Sequence, residues 1–321
     1  RLTRADGKGT AWEGLDPQAL YTGPRMVPPP GLDSPKAMLK WHEGTSGQWI
    51  ETIPPGDPGF ALHWLARQMQ LIERCQPDFL YQDSHYLPFG AIGEIAAAHF
   101  YNNAIARSGA FTGVMSAGFR PGEGTLHNFE RKAADRILPE PWQAATCIGD
   151  WHYNRARYRD RSYVGAKGIV GQLVDVVSKN GTLLLSIPVR GDGTLDSVEQ
   201  GILADLGEWM AQEGEAAIYG SRPWRVFGDP VGGGVRYTRK GDTLFATLIE
   251  PQAGTLRLPT LGRAALSGAL AMSVRLVGGG PVPFEQGDDA RVLTTDDRVA
   301  GRTAPVLAID GLNASFAGLP A

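Results

Sequence analysis

Between residues 60 and 220 the chain alternates segments of helical period with short apolar runs, and few architectures accept that alternation. Strand and helix in repeated succession are the pattern of a parallel α/β fold. From Phe60 to Cys75 the residues Leu62, Leu65, Ala66, Met69 and Ile72 fall on one expected helical face. A short apolar run through Phe79-Leu80-Tyr81 then ends at Asp83. A second helical pattern carries Ile92, Ala96, Phe100 and Ala104 and leads to the run Phe111–Ala117, and Trp142–Ile148 is a weaker strand candidate. A helix over about Lys167–Ser178 stops at Asn180-Gly181, a left-handed cap signal. Thr182–Ile187 is the clearest strand, a continuous apolar run suited to burial in a parallel sheet. Asp196-Ser197 with Glu199 and Gln200 reads as a helix start of capping-box character, and Ala216–Tyr219 is expected as the last strand of the region.

After Trp224 the pattern changes. Val235–Tyr237, Leu244–Ile249, Thr255–Leu258 and Met272–Leu276 are short, lack helical period and are separated by Gly, Pro and Asp turns, which predicts an all-β module of sandwich type. The boundary is expected to divide residues 1–223 from 224–321. Residues 1–58 read as irregular, with Pro28-Pro29-Pro30, many glycines and the aromatics Trp12, Tyr21, Trp41 and Trp49. A complete eight-stranded barrel takes about 250 residues and eight strand–helix units. Four or five strands are counted here, so the expected fold class is α/β, a (β/α)8-type barrel lacking its N-terminal strands and followed by a β-sandwich.

Bulk properties narrow the function. A net charge of -3 on 321 residues gives no reason to expect nucleic acid or an anionic membrane as partner. No stretch approaches the roughly 20 apolar residues of a membrane span, and no signal peptide is visible. Cys75 and Cys147 make no disulfide framework and read as buried free thiols.

Chemistry enters with the carboxylates. An apolar strand that delivers an acid from its C-terminal end is how barrels build catalytic sites, and Asp83 has that position. Glu130 stands beyond another helix and another apolar run. Two carboxylates from separate strand ends suit the splitting of a glycosidic bond. An Asp just after a strand is also a common loop residue that bonds its own backbone.

The stretches Pro141-Trp142-Gln143, Cys147–Tyr153, Asp175–Pro188 and Gly214–Gly220 together resemble the α-L-fucosidase family of retaining glycosidases, glycoside hydrolase family twenty-nine. The likeness extends over essentially the whole chain, from Leu2-Thr3-Arg4-Ala5-Asp6-Gly7-Lys8-Gly9 onward, and is weakest in the β module. It implies a retaining exo-acting hydrolase of terminal α-L-fucosyl linkages that uses neither a metal nor an organic cofactor. Its expected partner is a fucosylated glycan or glycoconjugate, met in the periplasm or outside the cell. By the resemblance, Asp83 matches the nucleophile and Glu130, in Asn128-Phe129-Glu130-Arg131, the acid/base. Tyr81 matches a sugar-facing aromatic, Arg120 an arginine that reaches the sugar, and Trp151 and Tyr153 the pocket wall facing the fucose methyl. The chain departs from the family in Ser186, where an asparagine is common, and in having no adjacent pair of histidines to hold the fucose hydroxyls.

In a retaining enzyme the two carboxyls stand roughly 5–5.5 Å apart, one ionised and one protonated. Asp83, short and strand-supported, fits the nucleophile, and Glu130, longer and expected in a loop, fits the acid/base. Glu123 and Asp150 are rival acids, each also readable as a loop hydrogen bonder. His85 and His127 are candidate hydroxyl ligands or plain surface histidines. Arg120 is equally readable as a surface arginine, Trp151 and Tyr153 as core aromatics. Asp192 in Gly191-Asp192-Gly193 reads as turn chemistry. Two alternatives stay open beside the fucosidase: a non-catalytic carbohydrate-binding protein derived from such a barrel, and a retaining glycosidase for another sugar. Open sheet edges invite pairing, so a complementing N-terminal fragment or a homo-oligomer is expected in place of a stable monomer.

Overall fold

In the computed structural model, which describes residues 4–15, 31–32, 34, 36–37, 40–41, 58–83, 87–117, 124–230, 234–266 and 271–312, the chain divides into two compact units, Arg1–Asn128 and Phe129–Ala321. The first contains helix α1 (Pro58–Cys75), strand β1 (Phe79–Gln82), helix α2 (Ala91–Ser108) and strand β2 (Val114–Ala117). β1 and β2 pair in parallel from Phe79↔Val114 to Gln82↔Ala117. Their core joins Ile72, Leu80, Leu87, Phe100, Met115 and Ala117. Burying an Ile or Phe of this kind stabilises by roughly 1.5–3 kcal/mol.

α2 buries Ile92, Ala96, Phe100 and Ala104, the expected stripe. The face of α1 is rotated from its expected position. Ala61 and Ile72 are buried, whereas Leu62 is 58% exposed and Ala66 is exposed too. The rotation brings Gln68 to the buried Gln82 of β1, whose Nε2 donates to Gln68 Oε1 at 3.0 Å. A polar pair buried at a strand end outranks one more leucine, because an unmatched buried amide costs more than exposing that leucine. Cys75, expected buried, is exposed at the last residue of α1, while Cys147 is buried as expected.

The second unit begins within strand β3 (His127–Glu130), the first strand of a sheet of order β3-β4-β5 with β4 (Trp142–Cys147) and β5 (Gly181–Ser186). β4 and β5 are parallel and level, from Trp142↔Gly181 to Cys147↔Ser186. Gly181 is required here, since a Cβ would lie 2.6 Å from the Trp142 ring. Helix α3 (Arg155–Asp160) follows β4, α4 (Ala166–Ser178) precedes β5 and α5 (Ser197–Trp209) follows it. The run Ala216–Tyr219 is not a strand. The helix of α5 continues through a π-helical turn, Met210–Gly214, into Glu215–Ala217. Buried Glu213 holds that turn in place, accepting from Arg302 Nη1 at 2.6 Å and from the Val306 N–H at 2.9 Å.

Beyond Ala217 the described residues form strands joined by turns, with a 3-10 turn at Pro259–Leu261 and a short helix at Asp297–Ala300. β6 (Arg222–Asp229), β7 (Val235–Lys240), β8 (Thr243–Leu248), β10 (Ser273–Leu276) and β13 (Val306–Asp310) form an antiparallel sheet of order β10-β13-β8-β7-β6. β9 (Gly254–Leu258), β11 (Phe284–Gln286) and β12 (Arg291–Thr295) form a second, of order β11-β12-β9. One core takes Trp224, Tyr237, Leu244 and Ile309 from the first sheet with Leu258 and Leu293 from the second.

The start of α5 is a full capping box. Asp196 accepts from the N–H groups of Val198 and Glu199, and Glu199 accepts from the Asp196 N–H at 3.0 Å. Tyr163 adds a hydroxyl donor to Asp196 at 2.7 Å. Burial works to raise the Asp196 carboxyl, and these donors outweigh it, holding the group below the usual carboxylate range. Its stabilisation is therefore present above the ordinary carboxylate pKa and is lost as pH falls through the depressed folded value. Asp196→Ala is expected to cost about 2–4 kcal/mol in a denaturant titration, from the lost cap and the stranded Tyr163 hydroxyl. The penalty should shrink toward acid pH. A loss under about 0.5 kcal/mol would mean that water replaces these bonds.

Candidate active site

Asp83 directly follows β1 and is exposed. Strand alternation puts it on the side of Phe79 and Tyr81, opposite the buried Leu80 and Gln82. Tyr81, half-buried, is held by its hydroxyl, which accepts from Nδ2 of the buried Asn128 at 3.3 Å. Parallel pairing with β2 makes this strand end rigid. The arrangement is an anchored tyrosine and a free carboxylate two residues apart at the C-terminal end of a parallel strand.

Glu130 belongs to the second unit. The expected loop is absent: Glu130 is the exposed last residue of β3, and His127, half-buried, is its first. Arg131 follows with φ 51°, a left-handed conformation that costs a residue with a side chain about 1–2 kcal/mol. Its N–H donates to Ala145 O of β4 at 2.8 Å, and its guanidinium reaches Cys147 Sγ at 2.8 Å. β3 and β4 therefore finish at the same end, where β5 also finishes. The Arg131 guanidinium lies over the Trp151 ring, 5.0 Å from its centroid. Burial pushes the Cys147 thiol up, against the opposing charge of Arg131.

Trp151 is 37% exposed and is no core residue. Tyr153 is half-buried and accepts from Arg190 Nε at 3.4 Å. Asp150 is engaged on both oxygens: Arg157 Nη2 donates at 3.1 Å, Arg157 Nε at 3.4 Å and Asn154 Nδ2 at 2.8 Å. Those bonds hold its carboxyl below the usual range, so it is poorly suited to deliver a proton near neutral pH. Asp192 accepts from the Thr194 N–H and hydroxyl, the turn chemistry expected of it. His85, Arg120 and the rival acid Glu123 lie outside the described residues. Among the described residues no group of three or more His, Cys, Asp or Glu is placed to hold a metal. No described helix is long and apolar enough to cross a membrane.

Sequence reasoning missed Asn128, Arg131 and Arg190. Arg131 was in plain view beside Glu130. Arg190 follows a strong strand by four residues, the same kind of position that drew attention to Asp83. A cavity of about 620 Å³ opens beside β5 at its Asn180-Gly181 end, lined by apolar Ile169, Leu173, Leu206 and Ile218. It lies away from the strand ends that carry Glu130, Trp151 and Tyr153, and although Arg222 lines it, no carboxylate does, so it lacks the acids of a sugar-cleaving site.

A family model described as Alpha-L-fucosidase matches residues 33–215, more than half of the chain. The tissue alpha-L-fucosidase of Homo sapiens is 34% identical over 138 residues, 42% of this chain and 29% of that protein. The plasma alpha-L-fucosidase of Homo sapiens is 33% identical over 158 residues, 47% of this chain and 32% of that protein. The chain thus spans about a third of the length of the curated relatives it matches. Among solved structures, an alpha-L-fucosidase superposes with a TM-score of 0.67 at 22% identity, covering 82% of this chain and 61% of that one. The Thermotoga maritima alpha-fucosidase in complex with a mechanism based inhibitor gives 0.65 at 23% identity, covering 80% and 58%. At these identities the likeness speaks for a shared fold.

Proposed function

Since the chain belongs to the alpha-L-fucosidase family, we propose that it takes part in the hydrolysis of terminal α-L-fucosyl linkages, with retention, by double displacement. The observation that carries this reading is the exposed Asp83 at the C-terminal end of a parallel strand, two residues past an anchored tyrosine. Asp83 attacks the anomeric carbon while Glu130 gives its proton to the departing oxygen. Water then attacks the fucosyl–Asp83 ester, Glu130 takes its proton, and fucose leaves with its original configuration. Trp151 and Tyr153 offer ring faces to the sugar and its methyl group. His127 is the described candidate for a hydroxyl ligand, and His85 and Arg120 complete the proposed set. Both carboxylates are exposed, so a bound sugar supplies the exclusion of water that separates their roles.

The fold proposed with this function is a (β/α)8-type barrel, N-terminally incomplete, over residues 1–223, and a β-sandwich over 224–321. The substrate is a fucosylated glycan or glycoconjugate, in keeping with the solved Thermotoga maritima neighbour whose structure is in complex with fucose. Such glycans are met outside the cytoplasm, and the proposed compartment is periplasmic or secreted. Among the described residues β5 has a strand neighbour on one side alone. A complementing polypeptide or a second copy is the proposed partner for its other edge.

The test is incubation with an aryl α-L-fucoside beside aryl galactoside and glucoside controls, together with a fucose-binding titration. Aryl release from the fucoside alone is the expected result. Fucose binding without release moves the reading to a carbohydrate-binding protein, and release from another glycoside moves it to a different sugar. The absence of both binding and release overturns it.

A further inference from the structure

We propose that Arg190, held between Tyr153 and Tyr158, is the anion-reading element of a subsite for a leaving-group sugar that carries an acidic substituent, a sulfate ester or a uronate carboxylate. The placement rests on the fucoside-cleaving reading, whereas the binding itself does not.

The guanidinium is built into position. The Arg190 N–H donates to Thr194 O at 2.8 Å, and its carbonyl accepts from the Gly193 N–H at 2.8 Å. Gly193, at φ 82°, supplies the left-handed residue that closes this turn. The guanidinium carbon lies 5.9 Å from the Tyr153 ring centroid and 5.6 Å from that of Tyr158. Nε donates to the Tyr153 hydroxyl at 3.4 Å, and the Tyr158 hydroxyl meets Ser197 Oγ at 3.4 Å. Two rings thus steady the side chain, while the two terminal nitrogens have no hydrogen-bond partner among the described residues. A planar guanidinium steadied through Nε, with its two terminal nitrogens unbonded, matches the paired oxygens of a carboxylate or sulfate.

Neighbouring carboxylates do not claim that edge. Asp192 is taken by Thr194, Asp196 by Tyr163 and the helix cap, and Asp150 by Arg157 and Asn154. Glu199 is buried and accepts from the Asp196 N–H. Asp192, Asp196 and Glu199 lie near enough to feel the Arg190 charge, yet none of them forms an ion pair with it, and Arg155 and Arg161, on and just past α3, form none among the described residues. The Tyr158 ring, 37% exposed, stands on the helix that follows β4, at the end where Glu130 closes β3. Aromatic faces for a pyranose with a free guanidinium for an oxyanion are the chemistry of an acidic-sugar site.

The experiment is a ligand-observed NMR titration of the intact chain with three probes that contain no fucose: methyl galactoside 6-sulfate, methyl glucuronide and neutral methyl galactoside. An acidic probe is expected to bind about tenfold tighter than the neutral one. That preference should weaken as salt rises. Arg190→Gln should remove the preference and leave the neutral probe's Kd and the melting temperature unchanged. The stronger of the two acidic probes identifies the substituent. Equal binding of acidic and neutral probes overturns the proposal on the unaltered chain, whether or not the variant folds. An Arg190→Gln protein that weakens all three probes alike, with a lower melting temperature, makes Arg190 a brace between turn and helix and overturns it too. Because turnover is not read, failure here leaves fucoside cleavage standing, and failure of cleavage leaves this binding standing.

Discussion

Asp83→Ala is expected to lower kcat on an aryl α-L-fucoside by about four orders of magnitude, the scale seen when an attacking group is removed from a covalent mechanism. The melting temperature should stay close to that of the parent, because Asp83 is exposed and surface changes away from special features stay within about 0.5 kcal/mol. The leucine and glutamine that build the strand, Leu80 and Gln82, keep their burial. Azide, small enough for the vacated space, should restore part of the turnover. It would attack the substrate directly, so the product expected is the β-fucosyl azide, inverted at the anomeric carbon. Near-parental hydrolysis by the variant would falsify the assignment of Asp83 as nucleophile. Restored turnover with retained configuration would show that another group forms the intermediate.

Much of the scaffold around that residue was legible in the sequence because it is written in apolar period. β1, β2, β4 and β5 each contain several apolar residues, and the buried stripe of α2 repeats at four-residue spacing. β3 was invisible for the opposite reason. His127-Asn128-Phe129-Glu130 has its buried position filled by Asn128, a polar side chain bonded to Tyr81, so no hydrophobic alternation marks it. Ala216–Tyr219 misled because alanine, isoleucine and tyrosine read as strand, whereas the tether of Glu213 to Arg302 and Val306 holds the helix through Ala217 and Ile218-Tyr219 turn directly after it. Propensity over four residues is a weak prior against a buried charge-assisted contact.

The candidate site divides along the same line. Positions set by strand ends, such as Asp83 and Trp151, follow from the order of elements. The contacts that give them character do not, because they join residues of different strands. Arg131 over Trp151, Arg190 between two tyrosines and Asn128 on Tyr81 depend on three-dimensional neighbours that spacing does not encode. Asp150 shows the converse. In sequence it rivals Glu130 as an acid, and the Arg157 and Asn154 bonds that hold it ionised appear only once the loop is folded.

Glu130→Gln should separate proton transfer from attack. Substrates whose leaving group needs a proton, such as a fucosylated sugar, are expected to lose roughly 10²–10⁴-fold in kcat/KM, the usual reach of general acid catalysis. An activated aryl fucoside leaves without protonation, so its first step should change little. The second step still lacks its base, and a burst of aryl alcohol followed by slow turnover is the expected time course. Azide needs no base and should relieve that block by attacking the fucosyl–Asp83 ester. Two inversions at one carbon restore the starting configuration, so this variant should yield the α-fucosyl azide where Asp83→Ala yields the β form. The alkaline limb of the pH–rate profile should flatten, since the group that must hold a proton is gone. The end of β3 presents Glu130 to solvent, and it forms no ion pair among the described residues, so loss of the charge is not expected to disturb the fold. Equal losses on sugar and aryl substrates, an unchanged alkaline limb and no burst would together remove Glu130 from the proton-transfer role and pass it to Glu123.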